Sequence, residues 1–186
     1  DLRDISSSQY QDLLNDPTRP LFNRAFMGLY PPASTIKPLL TIFALNNEYT
    51  NWDETIFDDG FFRFEEEERI FNAWREGGHG LTNLEKALVE SSNPFFMNLS
   101  IRYEKDLFVE FLKSSSFGSK LCEDCYPHQF SPLIDDDWKY KNFGKELYKG
   151  DFINLGVGQG YMLTTPLHLS LISGICLLYT SPSPRD

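Results

Sequence analysis

At 186 residues, 41% hydrophobic and 15% aromatic, the chain has the size and composition of one globular domain rather than of a disordered segment. Lys and Arg number 17 against 27 Asp and Glu, a net charge of -10, and no basic stripe interleaves with aromatic residues, which argues against nucleic acid as a partner. The longest apolar stretches, 39–45 and 169–179, fall short of the roughly 20 residues that a bilayer-crossing helix needs.

Residues 1–33 alternate polar and turn-forming types, with Asp16-Pro17 and Arg19-Pro20 as breakers, so the pattern predicts loop with a short helix over 8–14. A helix is expected over 34–46, entered through Tyr30-Pro31-Pro32-Ala33, with Pro38 still in the first turn where a missing N–H costs little. Asp58-Asp59-Gly60 reads as a turn, and Phe61-Phe62-Arg63-Phe64 before four consecutive glutamates suggests a short hairpin or an exposed excursion. Trp74 to Gly80 is a tight glycine loop in which His79 reads as a packing histidine. Thr82-Asn83-Leu84-Glu85 carries a helix-start signature. Pro94 then bars a continuous helix, which places Ser91 and Asn93 on an exposed connection before a second helix over 95–101.

Apolar residues at helical spacing continue over 107–112, and residues 119–151 read as loop-rich. Cys122-Glu123-Asp124-Cys125 is a single Cys-x-x-Cys with His128 nearby; lacking a second pair, it favours a local disulfide or two free thiols over zinc. Gly156-Val157-Gly158-Gln159-Gly160 is a glycine turn without the lysine of a phosphate loop. Thr164-Thr165-Pro166-Leu167 predicts a helix with a threonine cap and proline at its first position. Residues 176–186 match a translated transposase adapter used in DNA library preparation, so the native domain is expected to occupy 1–175. The start, with neither methionine nor leader, reads as an excerpt of something longer.

One pair of residues stands out chemically. Ser34 and Lys37 lie three apart, nearly one helical turn, so their side chains share a face. A serine hydroxyl needs a neighbouring base, and a lysine can serve when burial or nearby positive charge lowers its pKa. The N–H groups and positive dipole of a helix start would favour an oxyanion forming at Ser34. The bland alternative is a plain helix cap, the commonest role of a serine before an apolar run.

Ser34-x-x-Lys37 and Ser91-x-Asn93 together are two of the three motifs of the penicillin-recognising serine acyltransferases. Pro20-Leu21-Phe22-Asn23-Arg24-Ala25, Gly77-Gly78-His79-Gly80 and Gly158-Gln159-Gly160-Tyr161 stand in the order found in class B penicillin-binding proteins. The stretch 138–151, with Phe143-Gly144-Lys145 and Gly150-Asp151, is most similar to the penicillin-binding protein 2 branch, the cell-elongation transpeptidases, and the resemblance covers 10–175. Ala33 departs from the glycine usual before the nucleophile, and Asn93 replaces an aspartate common in this branch.

The resemblance implies an α/β (α+β) fold of the penicillin-binding-protein and β-lactamase type, a five-stranded antiparallel sheet flanked by helices. Most of that sheet would lie outside these residues, leaving mainly helix and loop. It implies a D,D-transpeptidase that cross-links peptidoglycan stem peptides and is acylated by β-lactams, with Ser34 as nucleophile, Lys37 as base, Ser91 as proton relay, and Ser91 and Asn93 as substrate contacts. It implies no cofactor and no metal. The family's third motif, Lys-Thr/Ser-Gly, does not occur in these residues, so little activity is expected of them alone. The parent protein would be anchored by an amino-terminal segment, act on the periplasmic face of the inner membrane, and partner a polytopic glycan polymerase. A penicillin-sensing receptor or a non-catalytic scaffold domain of the elongation machinery would share the same motifs.

Overall fold

A computed structural model describes residues 5–124 and 128–180. Helix α1 (Ser7–Asn15) opens with a reciprocal cap, in which Ser6 Oγ accepts from the Gln9 N–H and the Gln9 side chain accepts from the Ser6 N–H. A single turn, α2 (Arg24–Met27), capped by Asn23, precedes the double proline. Residues Ala33–Ile36 then form a 3-10 turn rather than the first turn of the expected helix, and α3 (Lys37–Asn46) begins only at the lysine, with Pro38 in its first turn. Ala33, just before the serine, adopts φ +49°, outside the α-helical range, and is held there by contacts from the far end of the chain.

Two antiparallel pairs follow. β2 (Phe61–Phe64) and β3 (Arg69–Asn72) make the expected hairpin, and the glutamates between them form a one-turn 3-10 segment, Glu65–Glu67. β1 (Thr55–Asp58) pairs with β4 (Gly80–Asn83) across that hairpin, in the register Thr55↔Asn83 to Asp58↔Gly80. This longer-range pairing has no local signature. α4 (Leu84–Val89) is capped by Asn83, whose Oδ1 accepts from the Lys86 N–H, one residue beyond the expected threonine. α5 (Asn93–Ser100) is capped by Ser92, so Asn93 is its first residue rather than part of an exposed connection, and Ser91 is half-buried.

α6 (Lys105–Ser114) follows. Within the stretch read as loop the chain forms α7 (Asp136–Phe143), started by Asp135 and ended by Gly144 at φ +68°, and α8 (Lys149–Leu155). α9 (Pro166–Thr180) has the expected threonine cap, the Thr165 hydroxyl accepting from the His168 N–H, and runs on without a break past the expected boundary at 175. Several of the 16 phenylalanines build the core: Phe43, Phe95, Phe96, Phe108, Phe117 and Phe152 are buried, and α3 meets α6 and the turn before it through edge and tilted ring contacts of Phe43 with Tyr103, Phe108 and Phe111. α5, buried along most of its length, packs on both β1 and β2 and on α8.

Candidate active site

The segment leading to Ser34 is held from the far end of the chain. Tyr30 and Thr164 exchange both backbone hydrogen bonds, at 2.9 and 2.8 Å, and the Ala33 N–H donates to the Gly158 carbonyl at 2.8 Å. Gly158 lies so close beneath this turn that a Cβ on it would stand 2.3 Å from the Ala33 carbonyl oxygen. The glycine turn at 156–160 is therefore a floor for the Ser34 turn. Its own anchor is a buried ion pair, in which Lys139 Nζ donates to Asp151 Oδ1 at 2.7 Å and to the Tyr161 hydroxyl at 3.0 Å.

On this floor Ser34 faces solvent, and Lys37, one turn on, is 2% exposed. The start of α5 closes over the lysine. Lys37 Nζ donates to the Ser91 carbonyl at 2.9 Å, to Ser91 Oγ at 3.0 Å and to Asn93 Oδ1 at 2.8 Å, so the three N–H groups of an ammonium are all matched. Ser91 Oγ in turn donates to Ser34 Oγ at 2.8 Å. All four residues singled out in the sequence thus meet in one hydrogen-bonded cluster. The route from Ser34 to Lys37 runs through the Ser91 hydroxyl, a link that spacing along one helix could not reveal.

Burial pushes the Lys37 pKa down to about 8, opposed by the negative charge of Asp58. The Phe96 ring, 5.2 Å from Nζ, forms part of the apolar wall. Asn93 spends its oxygen on the lysine and keeps Nδ2 as a donor. Ser91 holds φ +56°, an uncommon conformation for a residue with a Cβ.

Asp58, read from the sequence as part of a turn, is fully buried behind this cluster, and His79 packs against it. Burial raises the Asp58 pKa, but hydrogen bonds from Ser92, His79 and the Gly60 N–H, with the charge of His79, outweigh it and hold the carboxyl below its ordinary range. Among the described residues no group of three or more His, Cys, Asp and Glu converges as metal ligands, and no helix is long and apolar enough to cross a membrane. Cys122 is disulfide-bonded, Cys125 lies outside the described residues, and burial raises the pKa of the Cys176 thiol.

Residues 4–172 match the family model of the penicillin-binding protein transpeptidase domain. The chain is 37% identical over 166 residues to the peptidoglycan D,D-transpeptidase MrdA of Escherichia coli K12, an alignment covering 89% of this chain and 26% of that protein. Among solved structures it superposes on PBP2 of Pseudomonas aeruginosa, in complex with WCK 5153, with a TM-score of 0.85 at 30% identity, covering 92% of this chain and 39% of that one. It superposes on Helicobacter pylori PBP2, in its complex with MreC, with a TM-score of 0.80 at 31% identity, covering 89% and 31%. The chain spans about a quarter of the length of the curated relatives it matches. With a domain model covering nearly all of it and PBP2 proteins as its relatives in both sequence and structure, this chain belongs to the penicillin-binding protein transpeptidase family.

Proposed function

We propose that this chain is the nucleophile-bearing part of a peptidoglycan D,D-transpeptidase, residues 1–175 being native domain and 176–186 a foreign tail. The observation that carries the proposal is the connected chain Ser34 Oγ, Ser91 Oγ, Lys37 Nζ. With Lys37 neutral the two bonds run the other way: Ser34 donates to Ser91 and Ser91 to the lysine lone pair. Attack of Ser34 Oγ on the carbonyl of the penultimate D-alanine then moves one proton to Ser91 as the Ser91 proton moves to Nζ, and the tetrahedral oxyanion forms beside the Ser34 N–H. Collapse breaks the C–N bond. The leaving amine of the terminal D-alanine takes a proton from Ser91, Lys37 replaces it, and an acyl-enzyme remains with the lysine again neutral.

Asn93 Nδ2 donates to a backbone carbonyl of the stem peptide. The amine of a second stem peptide resolves the ester through the same relay in reverse. A β-lactam acylates Ser34 in place of the donor peptide. The Lys-Thr/Ser-Gly strand of the family is not among these 186 residues, and alone they turn over little or no stem peptide. In the whole protein the domain works on the outer face of the bacterial inner membrane beside a polytopic glycan polymerase; that a similar PBP2 forms a complex with MreC supports a place in the elongation machinery.

The test is acylation of the whole protein by a fluorescent penicillin, followed by peptide mapping. The label is expected on Ser34 and absent from Ser34→Ala; in a separate assay the acyl group of a thioester or depsipeptide donor is expected to pass to an added amine acceptor, releasing the thiol or hydroxy acid, and not to do so in Ser34→Ala. Labelling elsewhere would refute the assignment, and a Ser34 ester that never passes to an acceptor would favour a penicillin sensor.

A further inference from the structure

We propose that Asp58 is a positioning residue for the loop that carries Ser91 and Asn93: its buried carboxylate grips Ser92, the residue between them, and thereby sets both against Ser34 and Lys37. The inference rests on the catalytic reading above for its consequence, but its geometry is independent of it.

Ser92 and Asp58 are both fully buried, and Ser92 Oγ donates to Asp58 Oδ2 at 2.6 Å. The same oxygen of Asp58 accepts from His79 Nδ1 at 2.7 Å, and Oδ1 accepts from the Gly60 N–H at 2.9 Å. Ser92 Oγ also accepts from the Phe95 N–H at 3.3 Å, so this one hydroxyl caps α5 and ties its cap to β1. The Ser92 N–H donates to the Ala87 carbonyl at 3.0 Å, which leaves the residue no freedom to rotate. Ser91 needs such a clamp. A serine at φ +56° relaxes toward ordinary backbone unless its surroundings hold it, and a hydroxyl that moves by about 1 Å leaves a relay whose bonds are 2.8 and 3.0 Å long.

The clamp is charged as well as hydrogen-bonded. The groups facing Asp58 are His79 from the glycine loop, with Glu90 Oε2 3.7 Å from the other ring nitrogen and Arg75 on Glu90 at 3.0 Å. The titratable group facing Lys37 is Asp58, whose charge favours the ammonium against burial. Removing that charge therefore frees the base to be neutral at lower pH, while removing the hydrogen bond loosens the loop. These two consequences separate a positioning role from mere structural support.

The experiment uses the whole protein and two variants, Asp58→Asn and Ser92→Ala, with active sites counted by penicillin titration. Per active site, Asp58→Asn is expected to lower the limiting acylation rate by about 10- to 100-fold and to move the rising limb of its pH profile to lower pH; Ser92→Ala, which keeps the charge, is expected to lower the rate with the limb unmoved. Hydrogen exchange supplies a readout that does not depend on activity: amides of residues 91–93 and 95 should exchange roughly tenfold faster or more in both variants, while those of 105–114 stay unchanged. A parental rate per active site and parental exchange at 91–93 and 95 in Ser92→Ala would overturn the proposal even if Asp58→Asn failed to fold. Faster exchange in a protein that is not acylated at Ser34 would uphold the clamp and defeat the catalytic reading beneath it.

Discussion

Gly158→Ala tests whether the glycine turn is the floor on which Ser34 stands. The new Cβ would meet the Ala33 carbonyl oxygen at 2.3 Å and the Ala33 nitrogen at 2.8 Å, both backbone atoms that no rotamer change can move aside. An ordinary carbon–oxygen contact is about 3.4 Å, so the turn bearing Ser34 must retreat by about 1 Å. Gly158 also sits at φ +67°, which adds roughly 1–2 kcal/mol for a residue with a Cβ. A displacement of about 1 Å at a reacting group costs on the order of 10²-fold in rate. From the conformational cost, the melting temperature of the domain should fall by about 2–8 °C. Stopped-flow acylation by a fluorescent penicillin and a thermal melt read the two effects separately. Gly144→Ala is the control, because φ there is +68° but nothing lies within 4 Å of the added Cβ; it should lose stability and acylate normally. Parental acylation by Gly158→Ala would refute the floor.

Ser91→Ala removes the middle of the relay and leaves Ser34 and Lys37 unlinked; acylation should fall by about 10²- to 10⁴-fold, as for loss of a general acid–base group, and a drop under tenfold in single-turnover kinetics would mean the lysine acts directly. Lys139→Met strips Asp151 of its buried partner, where both side chains are under a tenth exposed. It should destabilise the domain by about 3–5 kcal/mol in urea unfolding, and a loss under about 1 kcal/mol would show that the pair does not anchor the glycine turn.

The grouping of these four residues was legible because it is written in short spacings: Ser34 to Lys37 and Ser91 to Asn93 are local signals, as is the threonine cap at Thr165. What escaped sequence reasoning is held by tertiary contacts. The stretch forming α7, Asp-Asp-Trp-Lys-Tyr-Lys-Asn-Phe, is polar on nearly every face and buries only Lys139, so it shows no apolar stripe, although Asp135 and Gly144 mark its ends as cap and stop. The pairing of β1 with β4 joins residues more than twenty apart through two four-residue strands too short to show alternation. Ala33 at positive φ was invisible because alanine carries no hint of it; the conformation comes from Gly158 and the Tyr30–Thr164 bridge. Asp58 looked like a turn residue because its partners, His79 and Ser92, are distant in sequence, and no local pattern joins them.

The pH dependence of Ser34 acylation bears most directly on the claim that Lys37, linked through Ser91, activates the nucleophile. Burial depresses the lysine to about 8, so its neutral, proton-accepting form grows as pH rises through that value. The limiting acylation rate should climb roughly tenfold between about pH 7 and pH 9 and then level off, and Lys37→Ala should lose both the rate and the limb. A rate that is flat across that window, or a limb that survives in Lys37→Ala, would contradict it.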